Sequence, residues 1–361
     1  MCNCFRLISA AKCDIIYNVL LQHKAYCRSA QFSHERIKMK TIITDNSLCT
    51  LPISENAHPT HIYKYIEALG EMGVRYVEVD FRTIMKMTEL PDGVEYILRL
   101  GDPMFAELTE VFDFSYVLLT VQDFKEKLKL RNIPVIMEFP AVKKLSPQLL
   151  QLAQLQLDTP ITMARLRGSF PMMTAEEAYR YIRSAKNAVA VPIDVCPMNK
   201  VRTALDTAIK FSRANVDSLT MCMGISQNYA SIEEFLFTLM SVHETLLKEY
   251  NMAALCKAAV FHQLVFGKHS SDSISYIMKL LDKDIATLRN ADTGKRVPMK
   301  VALKDSFALK KNFVTALQHF IESEDIPDDF AYDITDAINR FDASLYNTDL
   351  LYTGFSKEPL N

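Results

Sequence analysis

Glycine and tryptophan are scarce in this chain of 361 residues. It contains nine glycines and no tryptophan, whereas glycine normally makes up about 7% of a protein. The patterns G-x-G-x-x-G and G-x-x-x-x-G-K-[ST], whose backbone amides hold phosphates, do not occur in it. The sequence therefore argues against a glycine-rich nucleotide-binding loop.

Net charge and long apolar runs are also lacking. The 41 basic and 43 acidic side chains leave a formal charge of −2, which provides no attraction to nucleic acid or to an anionic membrane. No apolar run reaches the ~20 residues that a membrane-spanning helix needs. We therefore expect a cytoplasmic protein that binds neither nucleic acid nor membranes.

The eight cysteines form no C-x-x-C pair. A zinc knuckle and a thioredoxin motif both need that pair, so neither is predicted. Four of the cysteines lie within the first thirty residues and the others are scattered singly. Free thiols in a reducing compartment are the simplest interpretation.

Residues 1–38 differ in composition from the rest of the chain. They are rich in cysteine and basic side chains, and their only acids are Asp14 and Glu35. Met39 follows, and a strand-like run begins directly after it. The segment is interpreted as an upstream extension from a misplaced start or as a transit peptide. In either case we expect it to lie outside the fold.

Residues 39–245 alternate between short apolar runs and amphipathic helical stretches. Eight such runs are typical of buried parallel strands: 41–44, 76–80, 96–100, 116–120, 134–139, 161–165, 189–194 and 218–222. Thr174-Ala-Glu-Glu177 has the form of a capping box and predicts a helix that extends to Lys186. The sequence predicts a (β/α)8 TIM barrel. An open doubly wound sheet is the alternative, although its usual glycine-rich first turn is missing.

Residues 246–361 predict a helical C-terminal region. The run from Met252 to Val265 is apolar nearly all round, and helices of that kind are normally buried. We expect either the barrel or a second subunit to cover it.

Five segments at the predicted strand ends carry a resemblance to a known family. They are Asp45-Asn-Ser-Leu-Cys-Thr-Leu51, Gly73-Val-Arg-Tyr-Val-Glu-Val-Asp80, Ala164-Arg-Leu-Arg-Gly168 with its following capping box, Cys196-Pro-Met-Asn-Lys200, and Cys222 to Glu234. Their order and spacing resemble the metal-dependent barrels of homocitrate synthase, isopropylmalate synthase and hydroxymethylglutaryl-CoA lyase. The resemblance implies a barrel of this pyruvate carboxyltransferase-like type over residues 39–245.

The resemblance also implies where the family's active-site groups would lie. A divalent cation would be held at Thr50, Cys196, Met198 and Tyr229, which do not supply the carboxylate and imidazole ligands that such ions prefer. Cys49 stands at the position of the catalytic arginine. Three polar side chains keep the family pattern: Asp45, Glu78 and Asn199.

Three functions remain open at this point. The first is a barrel that has lost metal-dependent Claisen condensation and now has a non-catalytic, anion-binding or subunit role. The second is an active acyltransferase or lyase that uses acyl-CoA or 2-oxoacid substrates at a variant site, without metal or with cysteine. The third is an ordinary synthase whose motifs are misaligned. As catalytic candidates we take Glu78, Cys49 and Asp45.

Basic residues at the predicted mouth suggest a small anionic or carboxylate ligand. The candidate binding residues are Arg165, Asn199, Lys200 and Asn228, because a guanidinium can hold an anion directly. Arg167, Lys143 and Lys144 are equally compatible with a solvated surface.

No cofactor is expected, and a divalent metal or zinc bound through Cys196, Cys49 and Cys222 is the alternative. One of these thiols could instead act as a nucleophile, with His58 or His61 as its base. Buried thiols that only pack are the plainer interpretation. The resemblance further implies a homodimer or a pairing with a related synthase.

Overall fold

A computed structural model describes residues 41–120, 128–130, 132–141, 145–199, 203–224, 228–242, 251–267 and 314–322, with a few positions between 331 and 339. The chain divides into two units, 1–40 and 41–361, and the described residues all belong to the second. The predicted extension at 1–38, Lys143, Lys144, Lys200 and most of the predicted helical C-terminal region lie outside the described residues.

Eight parallel strands form a closed barrel in which each strand pairs with the next and β8 pairs with β1. The strands are β1 Ile42–Asp45, β2 Tyr76–Val79, β3 Glu95–Arg99, β4 Tyr116–Thr120, β5 Val135–Pro140, β6 Ile161–Gly168, β7 Ile193–Pro197 and β8 Ser218–Met221. The predicted TIM barrel is confirmed, and the open sheet is wrong.

Helices lie between the strands and after the last one. They are α1 Ser47–Thr50, α2 Pro59–Glu71, α3 Phe81–Ile84, α4 Pro147–Gln154, α5 Ala175–Val189, α6 Ala204–Arg213, α7 Ile232–Val242 and α8 Met252–Phe266. A 3-10 helix, Pro103–Glu110, connects β3 to β4. None of the helices in the described part of the chain is long and apolar enough to span a membrane.

The capping box at the start of α5 is confirmed, but the helix ends later than predicted. Thr174 Oγ1 accepts from the backbone N–H of Glu177 at 3.2 Å, and the Glu177 carboxylate accepts from the backbone N–H of Thr174 at 2.8 Å. The helix continues to Val189 because Ile182, Ala185 and Val189 share one buried apolar face. Strand β7 therefore begins at Ile193 and not at Val189 as predicted.

The barrel interior is layered. Its lower layer is an apolar cluster of Tyr76, Ile97, Leu118, Ile136 and Met163. Side chains two positions apart on a strand point to the same face. The residue two positions after each member of the cluster therefore also points into the barrel, one layer higher. These residues are Glu78, Arg99, Thr120, Glu138 and Arg165. The apolar floor thus carries a polar layer towards the C-terminal ends of the strands.

The apolar helix α8 is covered by this chain itself. It packs along α2, where the Tyr65 ring lies 5.5 Å from that of His262 and 5.9 Å from that of Phe266. The ring of Phe261 on α8 lies 6.3 Å from that of His61 on α2 and 5.8 Å from that of Phe320, in the helical segment 314–322. The predicted burial is confirmed, and the barrel's own helix provides the cover.

Candidate functional site

Arg165 lies at the centre of the barrel mouth and is wholly buried. Its guanidinium donates to Glu78 of β2 and to Asp194 of β7, both also buried. A third carboxylate, that of Glu138 on β5, approaches Arg165 Nη1 to 3.9 Å. One side chain of β6 therefore connects three other strands across the barrel.

Two further arginines extend this arrangement towards solvent. Arg99 of β3 bonds both Glu78 and Glu138, the latter at 3.0 Å. Arg167 donates to Glu138 at 3.1 Å and to the hydroxyl of Tyr229. Tyr229 also receives the Arg167 guanidinium over its ring at 5.6 Å. We call this set of Arg99, Arg165, Arg167, Glu78, Glu138 and Asp194 the mouth network.

The mouth network balances three guanidinium charges with three carboxylates. These residues therefore do not form a basic mouth with cations free to bind an anion. Arg167 is 30% exposed and is paired with Glu138, so it is not simply solvated. Arg165 faces inward, but carboxylates of this chain engage it.

Burial and ion pairing set the protonation of the network. Burial would raise the pKa of Glu78, but Arg99 and Arg165 outweigh it and lower that pKa to about 2. Burial would lower the pKa of Arg165, but Asp194 and Glu78 raise it. Glu78, predicted as a catalytic carboxylate, is thus ionised and doubly paired at neutral pH. A carboxylate held in that way is a weak proton acceptor.

The three thiols near the rim do not come together as one group. Cys196 and Cys222 pack with Tyr229 and Met198 in a buried cluster. Cys49 lies apart from that cluster on α1, where Glu78, Arg99 and Asp80 act on it electrostatically. Burial raises the pKa of Cys196 to about 12 and that of Cys49 well above its ordinary value. Both are therefore protonated at neutral pH, which does not suit a nucleophile.

The residues at the family's metal positions do not fit a divalent cation. Thr50 donates its hydroxyl to the backbone carbonyl of Asn46 at 2.9 Å, and the Tyr229 hydroxyl is bonded to Arg167. Cys196 is a buried neutral thiol and Met198 a thioether. Among the residues that the structure describes, no group of three His, Cys, Asp or Glu side chains could hold a metal ion.

The remaining predicted binding residues have structural contacts. Asn199 accepts from the backbone N–H of Ala204 through its side chain at 3.4 Å, and its own backbone N–H donates to the carbonyl of Asn228 at 2.8 Å. These bonds tie the end of β7 to the start of α6 and to the segment after β8. Whether Asn199 and Asn228 bind a ligand stays a prediction.

Asp45 belongs to a second buried cluster, separate from Glu78. Its carboxylate accepts from the Ser47 hydroxyl at 2.7 Å and from the Tyr65 hydroxyl at 3.3 Å. Nearby Glu233 accepts from the Ser231 hydroxyl at 2.7 Å. Sequence reasoning missed Glu233, because the Ser231-Ile-Glu-Glu234 pattern is also that of an exposed helix start. A buried position could have been suspected only from the apolar residues around it.

The sequence also missed Arg99, Glu138 and Asp194, the other half of the mouth network. The strand runs contained a pattern that could have identified two of them. Arg99 follows the inward Ile97 by two positions, and Glu138 follows the inward Ile136 by two positions. Their mutual pairing could not be seen, because the partners are far apart along the chain.

No protein-family model and no curated protein matches this chain. Similar solved structures include hydroxymethylglutaryl-CoA lyase from Pseudomonas aeruginosa, at 13% identity and a TM-score of 0.48, over 67% of this chain and 98% of that one. The lyase from Brucella melitensis matches at 10% and 0.42, over 62% and 97%. Rhizobium etli pyruvate carboxylase with acetyl coenzyme A matches at 10% and 0.48, over 66% of this chain and 28% of that one. This likeness concerns the fold alone.

Proposed function

We propose that this chain is a barrel of the homocitrate synthase, isopropylmalate synthase and hydroxymethylglutaryl-CoA lyase type that has lost metal-dependent Claisen condensation. The observation that carries the proposal is the buried Arg165 guanidinium, which is bonded to Glu78 and Asp194 at the centre of the mouth. Its role is then that of a binding or subunit protein.

The chemistry of the donor set supports this proposal. A divalent cation assists such reactions by polarising a carbonyl oxygen, and it needs open carboxylate or imidazole ligands. The carboxylates at this mouth are occupied by arginines, and the thiol of Cys196 is neutral. Withdrawing a carboxylate from Arg165 to serve a metal would leave a buried guanidinium without its partner, which is costly.

A subunit role is favoured over the binding of a small anion. Arg99, Arg165 and Arg167 each have at least one carboxylate partner within 3.1 Å. Arg165 Nη2 and Arg167 Nε have no hydrogen-bond partner, but both are buried. An anion that sought a bidentate contact would therefore have to displace a carboxylate, or the Tyr229 hydroxyl, from the neighbouring nitrogen. The homodimer, or the pairing with a related synthase, is the assembly that such a role requires.

The metal content of the purified protein tests the proposal. After incubation with Mn²⁺ or Zn²⁺ and gel filtration, we expect well below one equivalent of bound metal. We also expect no release of coenzyme A from acetyl-CoA with a panel of 2-oxoacids. A stoichiometric metal, or turnover that depends on it, would contradict the proposal and favour an ordinary synthase.

Turnover without metal would instead favour the alternative, an acyltransferase or lyase with a variant site. The matched control is the Cys196→Ser variant, which removes the thiol next to the network but no charge. If turnover occurs and this variant abolishes it, the active alternative holds and the thiol belongs to the site.

A thermal-shift screen with phosphate, citrate and 2-oxoacids examines the anion-binding role. We expect each anion to change the melting temperature no more than chloride does at equal ionic strength, because the mouth network is internally neutralised. A rise of several degrees with one anion, absent in Arg167→Gln, would show that an anion displaces Glu138 after all. Arg82→Gln, at an exposed pair, is the control.

A further inference from the structure

Two neighbouring connections of the barrel contain little helix. The only helix between β2 and β3 is the four-residue α3, and the only one between β3 and β4 is the 3-10 helix Pro103–Glu110. None of the residues in that 3-10 helix is buried, whereas α5 has four buried residues. Runs of 3-10 helix longer than three or four residues are uncommon, because their hydrogen bonds are poorly aligned. Packing against the barrel core therefore contributes little to holding this segment.

Large apolar side chains are exposed on both connections. Met85, directly after α3, is 66% exposed, Met104 in the 3-10 helix is 68% exposed, and Val111, directly after it, is 75% exposed. The ring of Phe81 in α3 stacks on that of Phe105 in the 3-10 helix, with centroids 3.9 Å apart and planes inclined by 12°. This contact joins the two connections into one surface. We call these five residues the β2–β4 surface.

Acidic side chains border the β2–β4 surface. Side chains three positions apart eclipse one another in a 3-10 helix, so Met104, Glu107 and Glu110 form one row, and all three are exposed. Asp102 and Asp113, before and after this row, are exposed too. From Asp102 to Asp113 the sequence has four acidic side chains and no basic one. Apolar area and negative charge therefore occur together on one exposed segment.

The charge of this segment discriminates between possible partners. A second copy of the chain that docked through the same surface would bring acids against acids across a two-fold axis, and like charges in an interface are unfavourable. A polypeptide segment with basic side chains beside apolar ones supplies the complementary charge. Methionine and phenylalanine are enriched in protein interfaces, so the apolar part of the surface suits such a segment as well.

We propose that the β2–β4 surface docks a basic, amphipathic segment of a different polypeptide. The proposal rests on the subunit role proposed above and names the chemistry of the partner. Apolar side chains of the partner contact the exposed methionines, and its basic side chains pair with Glu107 and Glu110. The stacked phenylalanines order the surface before the partner arrives, which lowers the entropic cost of binding. The two connections begin at the ends of β2 and β3, the strands that carry Glu78 and Arg99 of the mouth network.

Binding of a synthetic helical peptide tests the proposal. The probe consists of leucine and lysine, with the leucines on one face of the helix, and a second peptide has glutamate in place of every lysine. The fluorescence anisotropy of each labelled peptide is measured with the full-length protein at about 0.1 M salt, where charges more than about 10 Å apart are largely screened. We expect the lysine peptide to bind and the glutamate peptide not to bind.

Two double variants locate the binding site. Met85→Ser with Met104→Ser removes apolar contacts, and Glu107→Lys with Glu110→Lys reverses the charge of the exposed row. We expect each double variant to weaken binding of the lysine peptide about tenfold or more.

Two matched controls change the same chemistry elsewhere on the surface. Leu152→Ser with Leu155→Ser removes exposed leucines on and directly after α4. Glu55→Lys with Glu176→Lys reverses two exposed acidic side chains outside the β2–β4 surface. Both controls should bind the lysine peptide as tightly as the unmodified protein does.

Failure of the lysine peptide to bind would overturn the proposal, and so would equal binding of the two peptides. Equal weakening in a control would show that the peptide is held by net charge or by any exposed leucine, which also overturns it. Self-association in ultracentrifugation that is abolished by Met85→Ser with Met104→Ser would assign the surface to a second copy instead. The metal and turnover measurements above do not involve this surface, so failure of the lost-condensation proposal is distinguishable from failure of this one.

Discussion

Replacing Arg165 with methionine is expected to lower the free energy of unfolding by about 3–5 kcal/mol, the usual cost of breaking a buried ion pair from one side. Glu78 would still have Arg99 as a partner. Among the described residues, Asp194 would keep the hydroxyl of Thr220, which donates to it at 2.8 Å, as its hydrogen-bond partner. The loss therefore arises mainly from one buried, uncompensated carboxylate.

Urea unfolding at pH 7 measures this effect, and two variants calibrate it. Arg82→Met breaks an exposed guanidinium–carboxylate pair with Asp80 and should cost less than about 1 kcal/mol. Arg165→Met combined with Asp194→Asn should recover most of the lost stability, because the charges are then balanced again. If the double variant is no more stable than Arg165→Met, the Arg165–Asp194 pairing is not what the mouth network depends on.

Raising the pH from 4.5 to 7.5 is expected to lower the free energy of unfolding by on the order of 3 kcal/mol. A larger loss at Asp45 and Glu233 is partly offset by a gain at His262, whose native pKa of about 3 lies below its ordinary value of 6.5. In the unfolded chain Asp45 and Glu233 ionise near pH 4, whereas in the native state burial raises both pKa values to about 7. Between these values the native state binds more protons, so stability falls as the pH rises. Above about pH 7 the loss is complete and the dependence ends.

Glu78 contributes in the opposite direction. Its native pKa of about 2 lies below its ordinary value of 4.5, so its stabilisation is present above about pH 4.5 and is lost as the pH falls towards 2. The contribution of His262 is present above about pH 6.5 and is lost as the pH falls towards 3. Together with the three carboxyl groups it places the expected maximum of stability between about pH 4 and pH 5. That is more acidic than the range of pH 5–8 that is usual for proteins.

Denaturant unfolding at pH 4.5, 6.0 and 7.5 measures the slope. In the Asp45→Asn, Glu233→Gln double variant we expect the fall to be replaced by a rise of about 2–3 kcal/mol over this interval, because His262 then remains as a group whose pKa is lower in the native state than in the unfolded chain. Glu234→Gln should retain the slope of the unmodified protein. A stability that rises from pH 4.5 to 7.5 in the unmodified protein would show that the two carboxyl groups are ionised in the native state.

The local elements of the barrel were predictable because their signals are local. The run 116–120 corresponds to β4, and the capping box at Thr174 starts α5 where expected. Strand β6 continues to Gly168, three residues beyond the predicted run. The boundary between α5 and β7 was misplaced further, because the apolar residues there suited either element. Val189 completes a helical face, and the residues after it read equally well as a strand.

The site was predicted only in part, for a reason of distance along the chain. The family pattern identified Glu78, and Arg165 was a candidate binding residue at the predicted mouth. Their ion pair joins residues 87 positions apart, and the bond of Arg99 to Glu138 spans 39 positions. A charge that pairs across a closed barrel looks in the sequence like any other charge. The expectation of a basic mouth arose from counting the cations without their partners.

Hydropathy and spacing by themselves determined the number of strands, their alternation with helices and the burial of α8, because these depend on neighbours within a few residues. The tertiary structure alone decided which charges meet. Closure of the barrel brings β2, β5, β6 and β7 around one guanidinium. It also buries Asp45 and Glu233, whose hydrogen-bond partners among the described residues are hydroxyl and backbone N–H groups. The protein interior screens charge poorly, so this placement sets the protonation of each buried carboxyl group and the free-energy cost of removing its partner. It thereby decides what the barrel mouth can bind.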